Sequence, residues 1–207
     1  MSTKKIAIIG YSGHSYVVLS SLMAAEFRVD YYCDELEKTE NPYQLFYLGS
    51  DRSADIKVRL REMDYFITIG DNSIRKKIQE SLTEFSHPPI NVIDPSATLQ
   101  FSVNLGHGVF IAPNCSVNAL STLGDGVVCN TGSTIEHECR VGKYSFISPG
   151  AVLCGNVMIG ENTFIGANAT IKQGVKIGSD VVIGAGSVVL EDVPDGTRAV
   201  GNPIRTI

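Results

Sequence analysis

No stretch of 18 apolar residues occurs in the 207-residue sequence, so no membrane-spanning helix is expected. There is no excess of basic charge. The net charge of −5 gives no electrostatic support for binding nucleic acid, which requires a basic face. The opening MSTKKIAIIGYSG has too short an apolar run, and no small-residue cleavage site after it, for a secretory signal. A cytoplasmic location is therefore expected. The five cysteines (Cys33, Cys115, Cys129, Cys139, Cys154) are odd in number and contain no CxxC, which argues against a disulfide framework and a zinc knuckle. No His/Asp/Glu group has metal-ligand spacing, so no metal is expected.

What is present is unevenly distributed. Residues 1–90 hold 4 of the 20 glycines and 24 charged residues, whereas 91–207 hold 16 glycines and 15 charged residues. Ser86-His87-Pro88-Pro89 lies just before the change and reads as a linker. Two domains are expected, 1–88 and 89–207.

The second part has a period of six. From Ile93 to Val189, each of the 17 positions at that spacing is apolar, among them Leu123, Ile135, Ile147, Leu153 and Ile171. At the chain's 43% background, chance gives roughly 10⁻⁶ before the choice of register is allowed for. Six residues are not a whole number of helical turns, and a plain strand would not need glycine at one fixed phase. The pattern fits a parallel β-helix whose aliphatic residues point inward and whose Gly, Asn and Asp residues turn the corners. Three hexapeptides close one 18-residue coil, and nearly six coils make a prism roughly 27 Å tall at the spacing of paired strands.

The first part reads as α/β, a small truncated Rossmann-like unit. Strands are expected at Lys4–Gly10, Arg28–Cys33 and Tyr65–Gly70. A helix is expected over His14–Phe27, with Val17, Val18, Leu22 and Met23 inward. Another is expected over Ile74–Phe85, capped by Asp71-Asn72-Ser73. The Gly10-Tyr-Ser-Gly13-His14 turn joins strand to helix and can present backbone N–H groups to a phosphate, although it lacks the third glycine of the full dinucleotide motif. Asp34 ends the second strand, where such folds read a ribose or base edge, and Gly70 and Ser73 follow the third. His14 is either a helix-start residue or a substrate contact.

In the β-helix the segment Ile135-Glu136-His137-Glu138-Cys139 stands out. Ile135 and Cys139 fill inward phases, which puts His137 and Glu138 on an outer corner. A histidine beside a carboxylate suits general-base work, and a solvated polar corner is the alternative. Gly155 is one coil from His137 and has no side chain to block a ligand. Cys115, Cys129 and Cys139 take core phases, and Cys154 reads as a small packing residue.

Gly10–His14, Gly70–Lys77 (GDNSIRKK), Asn130–Ser148 and the closing Gly201-Asn-Pro203 together resemble the NeuD-like family of bacterial sugar O- and N-acetyltransferases. It includes enzymes that acetylate the 4-amino group of nucleotide-linked amino-dideoxy sugars. The resemblance implies a left-handed β-helix, a homotrimer, and acetyl-CoA as co-substrate in a groove between neighbouring prisms. It implies His137 as base with Glu138 assisting, and Gly155 offering its N–H to the thioester oxygen. Ala167 and Ala185 match CoA contacts. Ser12, Gly13, His14, Asp34, Glu35, Gly70 and Ser73 match nucleotide-sugar contacts. The sequence departs from the family at Phe146, which stands where a second histidine near CoA is usual. Acetylation of a sialic acid or other sugar hydroxyl, and a non-catalytic β-helix scaffold, remain the alternative readings.

Overall fold

The computed structural model describes residues 5–207. Lys4, at the start of the first expected strand, lies outside them. Four parallel strands, β1 (Ile6–Ile9), β2 (Val29–Cys33), β3 (Phe46–Gly49) and β4 (Asp64–Ile67), form one sheet in the order β3-β2-β1-β4. Three helices accompany it: α1 (Gly13–Ala24), α2 (Ala54–Arg59) and α3 (Asn72–Thr83). β3 and α2 were not expected from the sequence. The α3 cap is as expected, with the Asp71 carboxylate accepting from the Ile74 N–H at 2.8 Å.

The buried side of α1 is rotated from the expected one. Met23 is 59% exposed, while Ser15, Val18, Leu19, Ser21 and Leu22 are buried. The reason is a polar contact. Ser21 donates to the Asp94 carboxylate at 2.7 Å, tying α1 to the first coil, and Ser96 donates to the same carboxylate at 2.6 Å. Burial alone would raise the Asp94 pKa, but the hydrogen bonds from Ser96 and Ser21 outweigh it and hold the carboxyl below its usual range.

From Val92 onward the chain is a left-handed parallel β-helix built of two-residue strands stacked in three sheets, with partners 18 residues apart, as in Thr134–Val152–Thr170. The first residue of each strand faces out and the second faces in. Ile135, Ile147, Leu153, Ile165, Ile171 and Ile183 are fully buried, as are Cys129 and Cys139. Ile93 breaks the expected pattern. It is 37% exposed, because no coil lies beneath it, and Val92 is buried instead. The last coil is shortened, with Val182 pairing to Arg198, and the antiparallel pair Val200–Arg205 closes it.

After the first coil, the corners turn through a residue in the left-handed backbone region. A first edge of the prism uses Asn114, Gly132, Gly150, Asn168 and Gly186. A second uses Leu120, Glu138, Asn156 and Gly174. A third uses Gly108, Gly126, Tyr144, Asn162 and Asp180. Asn, Asp and Gly tolerate that region and other side chains are strained there. Among the described residues no helix is long and apolar enough to cross a membrane.

Ile147→Ala removes a fully buried side chain from a stack that cannot collapse around the gap. It should cost about 2–5 kcal/mol, read as a lower urea midpoint, whereas the outward-facing Lys176→Ala should stay within about 0.5 kcal/mol.

Candidate active site

The second edge carries His137 and Glu138, each about half exposed (53% and 56%). Their backbone continues the corner ladder: the Glu138 N–H donates to Ala119 O at 2.9 Å, and His137 O accepts from the Asn156 N–H at 2.8 Å. Glu138 sits at φ +61, a conformation that Asn156 and Gly174 take in the next two coils of the same edge. That backbone turns its carboxylate toward the neighbouring ring, with Oε2 3.1 Å from His137 Nδ1. A carboxylate only accepts, so Nδ1 carries the hydrogen and Nε2 keeps a lone pair for a substrate proton.

Gly155 lies directly above. A Cβ built there would stand 2.6 Å from both Cε1 and Nε2 of His137. The missing side chain therefore makes room first for the imidazole, not only for a ligand as the sequence had suggested. Among the described residues the Gly155 N–H has no acceptor. Small residues lie along the first edge, where Ala167 and Ala185 stack one coil apart, joined by the Gly186 N–H to Ala167 O at 2.7 Å. They are separated from Gly155 by the full width of one face. One chain alone does not bring the expected CoA contacts together.

Phe146 faces away from both edges. It is buried on the prism face that meets the N-terminal sheet and helices, its ring centroid 5.5 Å from Phe164 and 5.8 Å from His14. His14 also meets Phe110 at 5.8 Å, and its Nε2 is buried without a partner. Burial, with the nearby Arg75 charge adding to it, pushes the His14 pKa down to about 4. The ring is neutral at pH 7, and its buried Nε2 is left without a hydrogen-bond partner.

The remaining N-terminal candidates divide between two clefts. Asp34 and Glu35 line one of about 540 Å³ with Gly10, Asp51, Arg52, Lys57 and Lys77. Asp34 is already engaged: its carboxylate accepts from the Tyr11 N–H at 2.9 Å and pairs with Lys38 at 3.0 Å, while Glu35 pairs with Arg52 at 2.6 Å. Asp34 thus shapes the Gly10–His14 turn before it can touch a ligand. Gly70 and Ser73 line the other cleft, of about 470 Å³, with Asn162, Phe164 and Arg198 of the β-helix. Ser12 and Gly13 are exposed at the start of α1, and Ser12 O accepts from the Ser15 N–H at 2.8 Å. Among the described residues no group of three His, Cys, Asp or Glu could hold a metal ion. Sequence reasoning missed Arg52, Lys57 and Lys77, cations that line the first cleft beside its acids. Arg52 precedes α2, Lys57 lies on α2 and Lys77 on α3, and only the packing of these two helices against the sheet brings the three together.

Two outcomes follow from this geometry. Gly155→Ala should displace the His137 ring and lower turnover by about 10²-fold, with little change in melting temperature. The second concerns acid. An unfolded histidine binds its proton near pH 6.5 and folded His14 only near 4, so the folded state is undiminished above about 6.5, loses stability between about 6.5 and 4, and loses no more below that. Urea titrations from pH 7 to pH 4 should show a shallower decline for His14→Gln.

The family model for the PglD N-terminal domain matches residues 5–82, and that for bacterial transferase hexapeptides (six repeats) matches 156–191. A curated relative, UDP-N-acetylbacillosamine N-acetyltransferase of Bacillus subtilis, is 30% identical over 110 residues, 52% of this chain and 51% of its own; the matched segment thus spans about half the length of that relative. Among solved structures, a mutant of perosamine N-acetyltransferase from Caulobacter crescentus in complex with CoA and GDP-perosamine superposes with a TM-score of 0.92 at 34% identity, covering 100% of this chain and 98% of that one. The acetyltransferase domain of PglB from Neisseria gonorrhoeae, in complex with acetyl coenzyme A, gives 0.93 at 32% identity, with both chains covered completely. The order of the two parts, the all-parallel coils and these likenesses along the whole chain place it in one group: the chain belongs to the family of sugar N-acetyltransferases that join a PglD N-terminal domain to hexapeptide repeats.

Proposed function

We propose that the protein transfers the acetyl group of acetyl-CoA to the 4-amino group of a nucleotide-linked amino-dideoxy sugar. The observation that carries the reading is the His137–Glu138 pair directly below Gly155, whose N–H has no acceptor among the described residues. Residues 1–88 hold the sugar nucleotide in this reading, and 89–207 hold acetyl-CoA and the base.

Acetyl-CoA supplies a thioester as acyl donor. The chain does the rest. Glu138 holds His137 through Nδ1, and His137 Nε2 takes a proton from the sugar amine as its nitrogen attacks. The Gly155 N–H, without an acceptor of its own, faces the charge that gathers on the acyl oxygen. His137 can then return the proton to the leaving sulfur. Cys154, the one half-exposed cysteine, is not needed as a nucleophile.

The site is completed by a second copy of the chain in a homotrimer. Two observations support this. The outward residues of the face between the first and second edges are Thr98, Ser116, Thr134, Val152, Thr170 and Val188, none of them charged, whereas the face between the second and third edges carries Arg140 and Lys176. Below His137 on the second edge, Phe101 is fully exposed and the Leu120 side chain is 63% exposed, two large apolar groups left uncovered on one edge. A neighbour whose first edge met this second edge would cover both and bring Ala167 and Ala185 to Gly155.

His137→Ala should reduce turnover by about 10²–10⁴-fold and leave the melting temperature near the parent's, since the side chain lies outside the prism. Cys154→Ser should keep most activity. Initial-rate patterns should show a ternary complex, and ping-pong kinetics would refute direct transfer. Sedimentation should give a trimer, and a fully active monomer would refute the shared site. UDP- or GDP-sugar should raise the melting temperature independently of acetyl-CoA.

A further inference from the structure

α3 meets the third edge of the β-helix with a polar side rather than an apolar one. Asn72, Arg75 and Gln79 lie on one helical face, at i, i+3 and i+7. Asn72 Nδ2 donates to Thr163 O at 3.2 Å, Arg75 Nη2 to Tyr144 O at 2.7 Å, Arg75 Nε to Gly126 O at 2.9 Å, and Gln79 Nε2 to His107 O at 3.2 Å. The four carbonyls belong to four successive coils. The helix is thereby fixed in height along the prism as well as held against it.

Arg75 is the centre of this contact. It is 1% exposed and, among the described residues, has no carboxylate in ion-pair contact, only the more distant Asp71 charge in its support. Its remaining donors turn back to the N-terminal sheet: Nη1 reaches Ile69 O at 3.0 Å and Gly70 O at 3.1 Å, and Nη2 reaches Asn72 Oδ1 at 2.7 Å. A buried cation without a carboxylate in contact is costly to desolvate, and an apolar side chain of the same size would fill the space more cheaply. What the apolar side chain could not do is hold the Ile69–Gly70 turn and two coils in one planar fork.

We propose that Arg75 is a positioning residue for the acceptor sugar: it sets the height of the Gly70–Ser73 segment, one wall of the cleft shared with Asn162, Phe164 and Arg198, against the coils that bear the chemistry. It does not line that cleft itself and acts through Gly70. The proposal rests on the reading that the N-terminal part holds the acceptor. His14, whose pKa is lowered in part by the Arg75 charge, and Phe146, whose ring lies 5.9 Å from the guanidinium, border the same seam.

Arg75→Lys keeps the charge and removes the fork. It should raise KM for the nucleotide sugar by about tenfold or more while KM for acetyl-CoA stays within about twofold. Hydrogen exchange in the same variant should quicken at residues 69–73 and stay slow in the inward stack from Ile147 to Ile165. Asn72→Ala, which removes one arm and leaves Arg75 buried, should move both readouts in the same direction by less, and serves if Arg75→Lys does not fold. Equal rises in both KM values, or a lower melting temperature with neither KM changed, would make Arg75 merely structural and overturn the proposal. Should the parent transfer no acetyl group, the functional reading fails, and the exchange data still decide: unchanged protection at 69–73 overturns the positioning role, and faster exchange there upholds the clamp.

Discussion

Everything in the β-helix depends on one register, the hydrogen bond from each strand to the coil above it. The Asn118 N–H donates to Ile135 O at 2.8 Å, Glu136 to Leu153 O at 2.9 Å, and Cys154 to Ile171 O at 3.0 Å. Each bond spans 17 residues, so an insertion of even one residue would turn every later inward side chain outward. The same ladder stacks residues 18 apart on one edge, and this alone brings Gly155 over His137.

That constraint also separates functions by geometry. Faces are flat and carry packing; edges turn sharply and present backbone N–H groups and side chains outward. One face takes the N-terminal part through Phe110, Val128 and Phe146, one is charged, and one is uncharged. His137 lies on the edge between the charged and uncharged faces, and the small residues Ala167 and Ala185 lie on the next edge. Within one prism the two edges are held apart by the full width of a face, so among the described residues no single ligand-sized groove in one chain joins them.

How much of this was legible in the sequence follows from range. The six-residue period is local and repeated, so the coils, the corner position of His137 and the stacking of Gly155 could all be read from it. The strand–turn–helix at Gly10–His14 and the Asp71 cap are also local signals. β3 is hard to read because Phe46–Gly49 is a four-residue edge strand without alternation, Phe46 being exposed and the rest only partly covered. Met23 was misplaced because only the Ser21–Asp94 bond, across 73 positions, fixes how α1 is rotated. Phe146 was noted as a departure, yet its neighbours His14 and Phe164 were out of reach of any spacing rule. Arg75 gave no signal either, since a lone arginine in the polar helix Asn72–Thr83 reads as a solvated residue until the coils are placed against it.

The corner residues show where the fold accepts strain. Most left-handed corners of the coils use Asn, Asp or Gly, at which that backbone is least costly, and three do not: Leu120, Glu138 and Tyr144. Each of the three is held by a contact within the chain. Glu138 bonds the His137 ring, and Tyr144 offers its carbonyl to Arg75. A left-handed backbone at such a residue costs on the order of 1–2 kcal/mol, so it persists where another contact over-determines it. The Leu120 N–H donates to Ser102 Oγ at 2.9 Å, while its side chain stays exposed one coil below Glu138, with Phe101 exposed in the coil below that. What stays uncovered on the His137 edge is therefore side-chain surface, the apolar groups of Phe101 and Leu120, rather than backbone strain. It adjoins the face whose outward residues carry no charge, which costs little to take out of water.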